Sequence, residues 1–233
     1  AVCAFFVIQS VFSGLHDFGL SYSSSIDPDL KISNVDSFSF VMADTVIAKL
    51  EQVKGVAVAA PLLSQEAVLR FEQQYKLVTL LGVDSRYDQL FGISDRIPVG
   101  RMVSDRGEEL LLGYGTTIDL GAGLYDYDGF IECLLPKQGA INPLDSNPFV
   151  SRWATNVGVF QMSEEVDYNY AFAPLPFVWS LTNAAANTYT AVDVKLDNNT
   201  KKNALTEEIQ RIIGSGFEVI EKEALNPALY RML

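Results

Sequence analysis

Apolar residues recur along this chain at two periods, and the change of period marks its elements. Val46, Ile47, Leu50 and Val53 fall at helical intervals within 39–53. Asp44 near the start of that run and Lys49 and Lys54 near its end suit the helix dipole. Gly55 stops the helix, and 56–71 reads as an extended strand. Pro61 lacks a backbone donor, so it demotes this strand to an edge or a bulge. Residues 72–74 turn the chain, and 75–84 return as the second strand of a hairpin. Ahead of these, Leu30 and Ile32 alternate with polar neighbours after the Asp27-Pro28 turn. The C-terminal part repeats the grammar. Val192, Val194 and Leu196 share one face of a strand over 189–196, and 197–200 read as a turn and N-cap. Leu205, Ile209, Ile212 and Ile213 then form a helical stripe, Gly214 and Gly216 end it, and 217–220 is a strand. Each chain end thus gives strand, helix, glycine, strand. Two βαβ halves pair into one α+β unit made of 1–84 and 183–233, with 85–182 inserted as a β-rich subdomain.

Within the insert, the run DSRYDQLFGI predicts a short helix. Glu108, Leu110, Leu111, Leu112 and Leu120 predict a longer helix, relaxed at Gly113 and Gly115. The runs DYDGFIECLLP, ATNVGVFQM and VDYNYAFAPLPFVW predict short strands between turns.

Residues 1–8 are apolar without a break and have no basic segment before them, which suits neither a membrane span nor a signal peptide. They are expected to be the trailing end of a longer apolar segment. Val11, Leu15 and Phe18 continue it at helical spacing, as in a helix leaving a membrane; the alternative is an ordinary core element.

Charge narrows the partners. Lys and Arg number 17 against 29 Asp and Glu, a formal net charge of −12 over 233 residues, with no basic cluster, so nucleic acid is excluded as a partner. Hydrophobic residues make up 48%, enough for a sizeable core, and aromatics 11%, which excludes a disordered chain. Cys3 and Cys133 are read as two unpaired thiols.

The candidate chemistry is sparse. His16 is the single histidine, which leaves little room for zinc sites or general-base catalysis. Gly113, Gly115, Gly121 and Gly123 lack the Gly-Lys-Ser/Thr that a phosphate loop requires. Asp119, Asp126 and Asp128, and likewise Glu164, Glu165 and Asp167, lack calcium-loop spacing and read as solvated turns. There is no GxSxG elbow, and Asn198-Asn199-Thr200 reads as a helix cap. No enzyme, cofactor or metal is expected. Eight aromatics gather between 149 and 179, most of them core, with Trp153, Tyr168, Tyr170 and Trp179 the candidates for contacting a partner.

The start AVCAFFVIQSVFSGLHDFGL, then DPDLKI, GVDSRYDQLF, EELLLGYG and the ending EKEALNPALYRML occur in the order of one domain type. The chain resembles the periplasmic domain of ABC-transporter permeases of the MacB/FtsX/lipoprotein-releasing (LolC/LolE-type) superfamily. The resemblance implies a porter-like α+β unit from both chain ends with an inserted subdomain, on the periplasmic side of the inner membrane between two transmembrane helices. It implies a permease dimer partner, a cytoplasmic ATPase subunit, and a lipoprotein, lipoprotein carrier or periplasmic adaptor as partner. Lipoprotein release or MacB-like export is favoured; an FtsX-like regulator of cell-wall hydrolases, or a soluble periplasmic binding protein or enzyme, is the alternative. Leu15, Phe18, Asn226 and Pro227 are expected to couple the domain to the membrane helices.

Overall fold

Strands drawn from both ends of the chain interleave in one layer. The structure, a computed structural model, describes residues 26–123, 130–136, 149–197 and 202–225. In chain order come β1 (Leu30–Asn34), β2 (Phe40–Val41), α1 (Asp44–Glu51), β3 (Val56–Phe71), β4 (Gln74–Val83) and α2 (Ser85–Phe91). A 3₁₀ turn (Ile93–Arg96), β5 (Val99–Gly100), β6 (Glu109–Gly113), α3 (Tyr114–Leu120), β7 (Ile131–Pro136) and β8 (Phe149–Phe160) follow. The remainder is α4 (Glu164–Asn169), β9 (Tyr170–Pro174), α5 (Leu175–Thr182), β10 (Thr188–Tyr189), β11 (Ala191–Leu196), α6 (Lys202–Ile213), β12 (Phe217–Glu221) and α7 (Lys222–Leu225). Leu15, Phe18, Asn226 and Pro227 lie outside the described residues, as do Cys3, His16, Asp126, Asp128 and the cap at 198–200.

The layer has the order β12-β1-β11-β3, and every neighbouring pair in it is antiparallel. So β1 and β3 run the same way with β11 between them, and β11 and β12 run the same way with β1 between them. Each half is a split βαβ unit whose gap the other half fills. Helices α1 and α6 cover one face. Ile47, Leu50, Leu205 and Ile209 pack there on Ile32 and Val194. Full burial of each such side chain contributes roughly 1.5–3 kcal/mol.

Strand β3 belongs to two assemblies. From Val56 to Leu62 it pairs with β11 as the outer strand of the layer, and Pro61 sits there opposite Val192. From Leu63 onward it pairs with β4, and further along also with β7. The pairings β4–β9, β9–β6, β6–β8, β8–β7 and β7–β3 then close a six-stranded barrel. Ring closure leaves no long edge open to another chain. Alternate residues Ala67 and Leu69 of β3 point inward with Leu80 and Cys133, all buried. Helix α5 packs against the barrel strands through Phe177, Val178 and Leu181. Gly82 admits that helix: a Cβ there would lie 2.9 Å from Val178 Cγ2.

Two segments differ from the sequence expectation. Residues Glu109–Gly113 form a strand, and the helix begins only at Tyr114, with Gly113 as its N-cap. Leu110, Leu111 and Leu112 are all fully buried because β6 has apolar neighbours on both faces, so it shows no alternation for periodicity to find. The run from Val166 to Trp179 is helix, strand, helix, because only 170–174 pairs, with β4 on one side and β6 on the other.

A second apolar core lies between the layer's other face and the outside of the barrel. Ala60, Leu62 and Ala191 of the layer meet Leu81, Leu111 and Phe172 of the barrel there, with Tyr87, Leu90 and Ile93 wedged between them.

Candidate functional surface

Two cross-strand rows on the outside of the barrel bring exposed apolar groups together. The first runs Tyr75–Arg70–Glu132–Trp153 across β4, β3, β7 and β8. The second runs Leu77–Val68–Leu134–Ser151 across the same strands. Tyr75 is 62% exposed, Leu77 60% and Trp153 49%. Pleating places them: Ala67, Leu69 and Phe71 turn into the barrel, so Val68 and Arg70 turn out.

The rows carry an internal charge pair. The Arg70 guanidinium forms an ion pair with the nearly buried carboxylate of Glu132, and its carbon lies 5.9 Å from the centre of the Trp153 ring. Arg70 thus neutralises Glu132 and offers its other side to the indole. The result is a surface with two aromatic ends around a compensated pair, held on four paired strands.

The four predicted partner-contact aromatics divide by environment. Trp153 and Tyr168 are exposed, but on different faces. Lys76 lies on the face of β4 opposite Tyr75, and its Nζ stands 5.4 Å from the Tyr168 ring centre and 2.5 Å from Asp119 Oδ2. Tyr170 is half-buried in the core between layer and barrel, and burial, then Glu165 and Asp27, raises its hydroxyl pKa. Trp179 is half-buried too: its Nε1 donates to the Thr188 carbonyl at 2.7 Å and its ring packs on Tyr189. Burial, followed by the Asp44 charge, pushes the Tyr189 hydroxyl up to about 12. Tyr75 and Leu77 were not singled out in the sequence, although the alternation of 75–80 places them on one face of their strand.

Of the clustered glycines and acids, Gly113, Gly115, Gly121 and Asp167 have structural roles. A Cβ on Gly113 would lie 2.2 Å from the Asp167 carbonyl, and one on Gly115 would lie 2.4 Å from the Tyr168 ring, so both let α4 sit on α3. Gly121 caps α3 in the left-handed conformation. Asp167 accepts a hydrogen bond from the Met162 amide at 2.8 Å, and burial raises its pKa. Among the described residues, no three His, Cys, Asp or Glu side chains gather as a metal site.

No protein-family model matches the chain, and no curated protein matches it by sequence. Solved structures do match. The extracellular domain of the ABC-type transporter YknZ from Gram-positive bacteria superposes with a TM-score of 0.61 at 13% identity, over 82% of this chain and 99% of that one. The periplasmic region of MacB from Actinobacillus actinomycetemcomitans gives 0.60 at 12% identity, over 88% and 94%. A domain of a protein assigned as a permease from Porphyromonas gingivalis gives 0.51 at 15% identity, over 84% and 88%. The fold is α+β and of the MacB periplasmic-domain type.

Proposed function

We propose that the chain is the extracytoplasmic domain of an ABC-transporter permease, carrying motion from the membrane to a partner held on the outer face of the barrel. One observation carries this reading beyond the shared fold. Leu30 lies opposite Glu221, and the Lys222 amide donates to the Asp29 carbonyl at 3.1 Å, so the described chain enters and leaves at one end of the layer. Strand β3 starts at that same end and runs away from it through the layer into the barrel. Its 16 residues span roughly 50 Å at about 3.3 Å per residue.

In this reading both chain ends continue into membrane helices, with Leu15, Phe18, Asn226 and Pro227 on the coupling segments. The layer built from both chain ends receives their tilt, and β3, paired in both assemblies, moves the barrel with it. ATP is hydrolysed by a separate subunit, and this domain performs no catalysis. The partner is a lipoprotein, a lipoprotein carrier or a periplasmic adaptor, in lipoprotein release or MacB-like export. Among the described residues no helix is long and apolar enough to cross a membrane.

The test is photo-crosslinking from positions 75 and 153 of the full-length membrane protein in cells, with adducts identified by mass spectrometry. A lipoprotein or its carrier supports release, and an adaptor supports export. A wall hydrolase moves the reading to the FtsX-like branch. A parent protein found wholly in the soluble fraction overturns the permease reading.

A further inference from the structure

The outer face of β4, β3, β7 and β8 is walled by two aromatics. Tyr75 and Trp153 stand exposed at the two ends of one cross-strand row, three strand spacings or about 14 Å apart between backbones. The floor between them lies lower. Arg70 and the nearly buried Glu132 are paired with each other there, and in the next row Val68 and Leu134 are half-buried beside the exposed Leu77.

That floor offers side chains and no free backbone. At these rows β3 is paired with β4 on one side and β7 on the other, and β7 is paired with β3 and β8. A strand has nothing to add to there. An α-helix, about 10–12 Å across, fits between the two aromatic walls and lays an apolar stripe on Val68, Leu134 and Leu77.

Charge sets what such a helix carries near its ends. Arg70 is committed to Glu132, and Lys76, on the opposite pleat of β4, to Asp119. The acids along β3 are uncommitted. Glu66 is exposed on the outward pleat, and Glu72 is exposed in the hairpin turn, held at a left-handed φ of 51°. Neither has an ion-pair partner among the described residues. From 66 to 72 the backbone covers about 20 Å, which a helix spans in about 13 residues. The formal net charge of −12 adds a long-range pull on a basic partner.

We propose that this trough seats an amphipathic helix of the partner protein, apolar where it meets Val68, Leu77 and Leu134, and basic at two points about 13 residues apart that meet Glu66 and Glu72. The inference rests on the reading of the outer barrel face as the partner surface, and it names the element that this surface takes.

The test places a benzophenone side chain at position 77 of the full-length protein in cells, and a second one at the exposed Ile118 of α3, outside the trough. Adducts are mapped to the peptide. The expected adduct at 77 lies in a partner segment with apolar residues at helical spacing and Lys or Arg three to four turns apart, and position 118 does not yield it. Glu66→Gln combined with Glu72→Gln should lower that yield roughly threefold or more, and Glu66→Lys with Glu72→Lys should lower it further. Thermal unfolding should stay unchanged in both, since the two acids are exposed. An adduct in an acidic or non-helical segment, in a second copy of this chain or in lipid overturns the helix and leaves the transporter reading standing. A yield indifferent to the glutamate changes overturns the basic ends. No adduct at 77, whatever 118 gives, removes this face from partner binding, whereas a parent protein found wholly in the soluble fraction overturns the transporter reading alone.

Discussion

The Tyr168 ring lies against the Cα of Gly115 so closely that a methyl group there would come within 2.4 Å of it. Two short helices, α3 and α4, dock through that missing side chain, and the barrel strands β6 and β9 are spaced by their docking.

Gly115→Ala should therefore destabilise the chain by roughly 1–3 kcal/mol, although alanine is the better helix former by about 1 kcal/mol. Gly113→Ala should cost more, because its Cβ would meet a backbone carbonyl, which cannot rotate away as a ring can. Urea unfolding of both variants checks the order.

Arg70→Ala should cost about 1–3 kcal/mol by leaving the nearly buried Glu132 carboxylate without its cation. Glu132→Gln should cost less, since it removes the buried charge together with its need for a partner. A double-mutant cycle over the two positions should show coupling well above the ~0.5 kcal/mol additivity error.

Cys133 lies inside the barrel, where burial, and next the Glu132 charge, hold its thiol far above the usual range. Iodoacetamide at neutral pH should modify it only when denaturant is present, as read by peptide mapping. Modification in the folded protein at the unfolded rate would mean that the barrel opens readily.

Trp153→Ala and Tyr75→Ala should each change stability by about 1 kcal/mol or less, because both side chains are largely in solvent. Each should nevertheless reduce crosslinking to the partner from a probe at the other position. Trp179→Ala should behave in the opposite way, losing about 2 kcal/mol or more through its Thr188 hydrogen bond and its packing on Tyr189. Thermal unfolding and crosslinking yield, measured on the same variants, separate the two classes.

The elements legible in the sequence are those buried on one face. The outer part of the β3–β4 hairpin, 66–71 and 75–80, and the stripe of Leu205, Ile209 and Ile213 follow from period alone, because one side of each meets the core and the other is more open to water. Leu110–Leu112 misled the same method, since a strand buried on both faces carries no period. Barrel closure was not legible at all: it rests on β7 reaching back to β3, with Leu69 opposite Cys133, and local pattern contains no such pairing. The exposed surface was legible only in part for this reason. Trp153 stood out by residue type, but Tyr75 and Leu77 join it only once β7 brings β8 beside β3.

Strand β3 has a consequence for synthesis on the ribosome. Its first half needs β11 as a neighbour, with Pro61 opposite Val192, more than half the chain later. Its second half is met at once by β4, across a turn of two residues. The hairpin and barrel can therefore assemble while the C-terminal segment is still being translated, with the exposed strip of Val56–Leu62 waiting for its partner. Slowing translation between positions 182 and 196 should prolong the life of that half-paired strand, whose unpaired backbone groups stay open until β11 arrives.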